Sequence, residues 1–256
     1  MNLPHPTAAP VRRDAELARF EAIDREFLDW ARDWAAEEVQ FPALIDSATL
    51  ERAEYPSAFP HLLLSGCGCV DPAKPLTELL GAANLAPTGW LLSPAVCYHI
   101  YPHWEGAVLT SPRIATARGR CFRREAEFTP GRRQLEFEMR EIVLGGPPAW
   151  IEGRVWEART RIEAIANRLG LAGGWETATD PFFLPTAQGK AFMQRLQETK
   201  KEFVVRNPEP LAVGSINRHG TFFAERFHLS LAAGEPAHTA CIAFGLDRWA
   251  SSAQPR

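Results

Sequence analysis

Between Gly119 and Gly146 the chain gathers residue types that can hold an anion, a flat ring and an amino group together. Phe122, Arg123 and Glu125 precede the turn Thr129-Pro130-Gly131, and Arg133, Phe137 and Glu141 follow it at every fourth residue. A turn between two runs of alternating apolar residues predicts a long antiparallel hairpin. Alternation then puts Arg123 and Glu125 on one face of the first strand, and Arg133, Phe137 and Glu141 on one face of the second. Arginine grips phosphate bidentately and stays charged. A phenyl face carries a flat base, and a glutamate reads an amino group. The same pattern also serves a solvated strand face laced by cross-strand salt bridges.

Five cysteines, an odd number, predict free thiols rather than a disulfide framework. Cys67-Gly-Cys69 reads as a glycine-rich turn or short strand with inert thiols, and Cys121 as a packing residue. By spacing, Cys97 and Cys241 suit small buried positions in central strands. His99 and His103 read as packing or surface groups. Asn217 and His219 sit in Ser215-Ile-Asn217-Arg-His219-Gly, where Asn217 serves either a ligand or a turn.

The elements that must position these residues follow from periodicity. Apolar residues from Leu17 to Trp34 recur at helical spacing, so residues 14–36 form a helix with Asp14 as its N-cap. A short strand and a helix near Ser47–Glu54 follow, and Pro75–Leu85 is a further helix. Leu91–Pro102 reads as a buried strand leading into the hairpin. Pro148–Leu169 is helical and stops at Gly170. Trp175–Phe183 is extended, Ala187–Thr199 helical, and Glu202–Val205 a strand. Leu211–Asn217 and Phe222–Leu231 are expected to pair as strands. The sum is one α+β domain, a mixed, mainly antiparallel sheet flanked by helices.

Composition excludes several classes. In 256 residues, 46% hydrophobic and 23% charged, there is chain enough for one sizeable core. The 28 basic residues are outnumbered by 31 acidic ones, so no basic nucleic-acid surface is advertised. No apolar run approaches a membrane span, and a cytoplasmic protein is expected.

The hairpin at 119–146 resembles motif 2 of class II aminoacyl-tRNA synthetases. Cys241-Ile-Ala-Phe-Gly-Leu-Asp-Arg-Trp249 resembles their motif 3, within 241–250, with Arg248 as its ATP-contacting arginine. A helix and a strand ending at Pro42, near 20–42, resemble motif 1. Arg-Cys-Phe-Arg-Arg-Glu, Glu-Phe-Glu-Met-Arg-Glu-Ile-Val and Asp-Pro-Phe-Phe narrow the likeness. From about Phe41 to Ala250 the chain is similar to amino acid:carrier-protein ligases, which look like the catalytic core of atypical archaeal seryl-tRNA synthetases.

That resemblance implies a class II synthetase-like catalytic domain over 1–256, with a helical insertion near 148–200 and no tRNA-binding domain. It implies activation of a small amino acid, glycine or alanine, by ATP and transfer to the phosphopantetheine thiol of a carrier protein. Arg123, Glu125, Arg133, Phe137 and Arg248 would bind ATP with Mg2+, and Arg123, Glu125 and Arg248 would also serve catalysis. Cys97, Glu141 and Cys241 would hold Zn2+ with one position open for the substrate amino group, and Asn217 would contact substrate. It further implies a homodimer through residues 20–42, with Trp30 and Trp34 at its interface, and makes tRNA an unlikely partner.

Two departures stand out: Asp247 replaces an expected glutamate, and the segment between Asp180 and Phe203 is short. Rival readings are a truncated seryl-type synthetase, a non-catalytic synthetase paralogue and an oligomeric scaffold.

Overall fold

The computed structural model describes residues 9, 11–177, 200–206 and 209–253. Helix α1 (Asp14–Asp33) leads to strands β1 (Glu37–Glu38) and β2 (Leu44–Asp46) and short helices α2 (Ser47–Arg52) and α3 (Tyr55–Ala58). Then come β3 (Ser65–Cys69), α4 (Leu76–Leu79), β4 (Leu85–Leu92), α5 (Cys97–His103) and β5 (Val108–Leu109). The hairpin strands are β6 (Arg113–Phe122) and β7 (Glu136–Gly146), followed by α6 (Pro148–Arg168) and β8 (Gly173–Thr177). Strands β9 (Lys200–Arg206) and β10 (Pro210–Gly220) precede α7 (Phe222–Arg226), β11 (Ser230–Leu231), β12 (His238–Gly245) and α8 (Leu246–Ser252).

Seven strands form one sheet in the order β1-β6-β7-β12-β10-β9-β8, antiparallel except where β1 meets β6. Strand alternation sorts its two faces. Ile142, Leu144, Ile242 and Phe244 point to one side, where α1 and α6 bury them beneath Phe27, Trp30, Val155 and Ile162. The other face carries Ala115, Ala117, Val143, Cys241 and Ala243 and is partly covered by α5 and α7. Its alanines keep the central strands low, which leaves room above them for polar groups.

Charge fixes α1 on the sheet. The carboxylate of Asp24 accepts from Arg140 Nε at 2.6 Å and Nη2 at 3.0 Å, and both residues are buried. Arg118 donates to Asp24 as well as to Glu21 and Glu138, so α1 is tied to both hairpin strands.

Several expectations are corrected. Leu91–Pro102 is not one strand: β4 ends at Leu92, and α5 begins at Cys97 after Pro94. Its continuous apolar run fits a buried strand or a buried helix equally, and periodicity alone does not separate them. Phe222–Leu231 is not a strand paired with β10: it begins as helix α7, whose Phe223 and Ala224 are buried, and only Ser230–Leu231 is strand, pairing with β5. The helix expected over 75–85 is confined to α4 and a 3-10 turn at Ala82–Asn84. Arg13 rather than Asp14 occupies the N-cap of α1. Cys67-Gly-Cys69 lies in the short strand β3, one of its two expected forms, with both thiols exposed. Trp30 and Trp34 are buried in the chain's own core, so they are not available to an intersubunit surface. The expected helix over 187–199 lies outside the described residues.

Candidate active site

Glu141 leaves β7 on the face opposite α1, with Cys241 on neighbouring β12 and Cys97 at the first turn of α5. One ligand atom from each lies within 4.8 Å of the others, and all three residues are buried. The backbone N–H of Cys97, at a helix start and so without an intrahelical partner, donates to Glu141 Oε2. Cys241 Sγ is 3.8 Å from Glu141 Oε1.

Cys97 and Glu141 are both held toward their neutral forms. Hydrogen bonding to Cys241, then burial, then the Glu141 charge push the Cys97 thiol well above its ordinary range. Burial raises the Glu141 carboxyl, against the hydrogen bond from Cys97 and the positive charge of Arg123. A divalent cation among them would reverse that balance, and two sulfurs with one carboxylate suit a borderline-soft metal better than magnesium. The residues therefore fit zinc, with three ligands and one position open.

A second set lines an adjoining cleft. Arg123, Glu125, Phe137 and Arg248 all contribute to its wall, with Gly214 and Ser215 of β10 opposite. The Arg123 guanidinium lies 5.0 Å from the Phe137 ring centroid and donates to Pro94 O at 3.2 Å. Arg248 is held by two backbone carbonyls, Arg132 O at 3.1 Å and Ala212 O at 2.9 Å. Burial, then the like charge of Arg123, pull the Arg248 pKa down. Two guanidinium groups that repel each other in a cleft make a site for an anion.

Strand alternation places only part of this set. Phe137 and Glu141 share a face of β7, as expected, but Arg123, Glu125 and Arg133 lie in the loop between β6 and β7. That loop is shaped by backbone bonds, Arg123 N to Leu135 O at 3.0 Å and Arg133 N to Thr129 O at 2.8 Å. Arg133 is exposed and pairs at 3.1 Å with Glu125, a residue of the cleft wall. Gly131 turns the loop with φ of +70°, and a Cβ there would stand 2.7 Å from Ser251 Cβ on α8. Glycine thus lets the loop dock on the helix that carries Arg248.

Asp247 is the residue the sequence reading undervalued. Its buried carboxylate accepts from the Glu138 backbone N–H at 2.7 Å, from Gln134 Nε2 at 3.3 Å and from Arg12. It locks α8 to β7 and so sets the distance between Arg248 and Phe137. Its place beside Arg248 was the available signal.

Asn217 and His219 fall on the triad rather than in the cleft. Asn217 Nδ2 lies 3.2 Å from Cys241 Sγ and 3.2 Å from Ser215 Oγ. Burial pushes the His219 imidazole down to about 3, so the ring is neutral at physiological pH. Cys121 is buried on β6 and His99 stacks on Phe41 at 5.3 Å, and neither belongs to the group formed by Cys97, Glu141 and Cys241.

A scan against protein-family models finds no match. The chain is 33% identical over 243 residues to amino acid--[acyl-carrier-protein] ligase 1 of Bradyrhizobium diazoefficiens, covering 86% of this chain and 71% of that protein. Ligase 2 of the same organism is 36% identical over 232 residues, covering 86% and 69%. The chain belongs to the amino acid–carrier-protein ligase family. A type-2 serine–tRNA ligase of Methanocaldococcus jannaschii is 26% identical over 184 residues, covering 64% of this chain and 34% of that enzyme.

Among solved structures, M. kandleri seryl-tRNA synthetase, in complex with A. aeolicus tRNASec, superposes with a TM-score of 0.81 at 23% identity. The match covers 97% of this ligase and 53% of that chain. Giardia lamblia prolyl-tRNA synthetase with prolyl-adenylate gives 0.73 at 16% identity, covering 97% and 48%. The ligase thus has the fold of a class II synthetase catalytic core and spans about half the length of those solved chains. No helix among the described residues is long and apolar enough to cross a membrane.

Proposed function

We propose that this ligase activates a small amino acid, glycine or alanine, with ATP and loads it onto the phosphopantetheine thiol of a carrier protein. The observation that carries the reading is the cleft lined by Arg123, Phe137 and Arg248, on a sheet that also carries a buried triad suited to zinc. The family adds the carrier as acceptor. Close burial of the triad, beside the stacked rings of Tyr101 and Phe223 at 3.9 Å, supports a small substrate.

In the first step a carboxylate oxygen of the amino acid attacks the α-phosphorus of ATP. The bond to the bridging oxygen breaks, and pyrophosphate leaves with Mg2+. Arg123 neutralises charge on the α-phosphate while Arg248, fixed by two carbonyls, holds adenine against Phe137 or the departing phosphates. Glu125 reads an amino group, and Arg133 closes over the pyrophosphate once drawn from Glu125. Cys97, Glu141 and Cys241 would hold the zinc, which when bound would supply a Lewis acid for the substrate amino group. In the second step the pantetheine sulfur attacks the adenylate carbonyl carbon, AMP departs, and the thiol proton passes to solvent or the leaving phosphate.

Amino acid-dependent ATP–pyrophosphate exchange tests the first step. Exchange with glycine or alanine is expected, and no exchange with either, or exchange with serine alone, would sink the substrate assignment.

Two surfaces complete the proposal. On α6, Arg161 and Arg168 pair with Asp33 and Glu26 of α1, and Arg154 with Glu157. Arg159, exposed and 5.4 Å from the Trp175 ring centroid, is therefore the residue on that helix best placed to meet an acidic carrier. A homodimer is expected to use the outward side of residues 37–44, at the sheet edge formed by β1. Light scattering at micromolar concentration should return a dimer mass; a monomer would remove this part.

A further inference from the structure

The triad has polar neighbours to which neither half-reaction assigns a task. Asn217 Nδ2 lies 3.2 Å from Cys241 Sγ, and His219 Nε2 lies 3.8 Å from the same sulfur. His219 Nδ1 is 3.0 Å from the hydroxyl of Tyr101, a residue of α5 that is fully buried, and 3.4 Å from Thr239 Oγ1. The Tyr101 ring stacks on Phe223 at 3.9 Å, which holds the hydroxyl in place. Three elements, α5, β10 and β12, thus converge on one sulfur.

We propose, resting on the zinc reading above, that Asn217 and His219 donate two hydrogen bonds to the Cys241 thiolate and that Tyr101 orients the imidazole for this. Asn217 is then a positioning residue of the metal centre rather than a substrate contact. Chemistry leaves a single arrangement of protons. A metal-bound thiolate has no proton to give, so both nitrogens facing it must carry hydrogen. With its hydrogen on Nε2, the ring presents a lone pair at Nδ1, which accepts from the Tyr101 hydroxyl. His219 is not a fourth ligand, because the ligand atoms mutually within 4.8 Å belong to Cys97, Glu141 and Cys241. The position it would fill stays open for substrate.

Two donors on one sulfur withdraw electron density from it. The thiolate is stabilised, its donation to the metal is moderated, and the metal remains a better acceptor for an amine. Outer partners of this kind hold a ligand's orientation, and their loss typically weakens metal binding about 10–100-fold.

The test is metal affinity and the spectrum of the Co2+-substituted protein, read without any assay of activity. Wild-type protein should carry one zinc per chain, and its Co2+ form should show thiolate-to-metal charge transfer. In His219→Leu and Asn217→Leu, competition with a chromogenic chelator should show about 10–100-fold weaker zinc binding. The charge-transfer band should move to lower energy, since a sulfur relieved of its donors gives up electrons more readily. His219→Gln, whose amide nitrogen falls near the place of Nε2, should recover most of both effects, and Tyr101→Phe should show a smaller loss. If His219→Leu does not fold, Asn217→Leu and His219→Gln carry the same comparison. Unchanged affinity and band position in the leucine variants would overturn this inference alone. Wild-type protein that binds neither metal would overturn the zinc reading and the inference with it.

Discussion

Replacing Arg248 by alanine is expected to lower amino acid-dependent ATP–pyrophosphate exchange by about 10²–10³-fold, the usual cost of removing one donor aimed at developing charge. The effect should be large because of how this guanidinium is held. Its hydrogen-bond partners among the described residues are two backbone carbonyls, which orient it without cancelling its charge. Arg123 adds a second positive group whose repulsion the fold tolerates. A phosphate brought between them would relieve that repulsion. Arg248→Lys keeps the charge but cannot hold both carbonyls in the same plane, so it should restore only part of the rate. Exchange within threefold of wild type in Arg248→Ala would remove Arg248 from the activation step.

The largest stability effect is expected at Asp24. Its carboxylate accepts twice from Arg140 and once from Arg118, in the buried seam between α1 and the hairpin. Asp24→Ala leaves the Arg140 guanidinium buried without that carboxylate, which should cost about 3–5 kcal/mol. Urea denaturation of the pair Asp24→Ala and Asp24→Leu/Arg140→Met separates charge from packing. The single variant should unfold at much lower urea, and the double variant should regain part of the loss because no guanidinium is left unpaired, Arg118 keeping Glu21 and Glu138. Equal midpoints for wild type and Asp24→Ala would show that the seam is decoration.

Asp24 also marks where sequence reading stopped. The apolar period of α1 was plain, but a carboxylate on its buried stripe had no local partner. Arg140 lies 116 positions away in sequence and meets Asp24 only once the sheet has formed. The hairpin itself was legible because its turn and alternation are local. Its loop was not: Arg123, Glu125 and Arg133 owe their places to bonds within the loop and to the contact of Gly131 with α8. Cys97, expected on a strand, begins helix α5 and still comes within 4.8 Å of the ligand atoms of Glu141 and Cys241. Asn217 shows the converse. Its local spacing names no partner, and only the distance to Cys241 Sγ identifies what it faces.

The central claim is the acceptor, and one measurement addresses it directly. The protein would be incubated with ATP, radiolabelled glycine or alanine, and a phosphopantetheinylated carrier protein, with bulk tRNA in a parallel reaction. The account predicts label on the carrier that hydroxylamine releases, as a thioester requires, and none on tRNA. Arg159→Glu should slow this loading while leaving pyrophosphate exchange intact, because a charge at a docking rim acts on association. Label on tRNA with an unlabelled carrier would contradict the account.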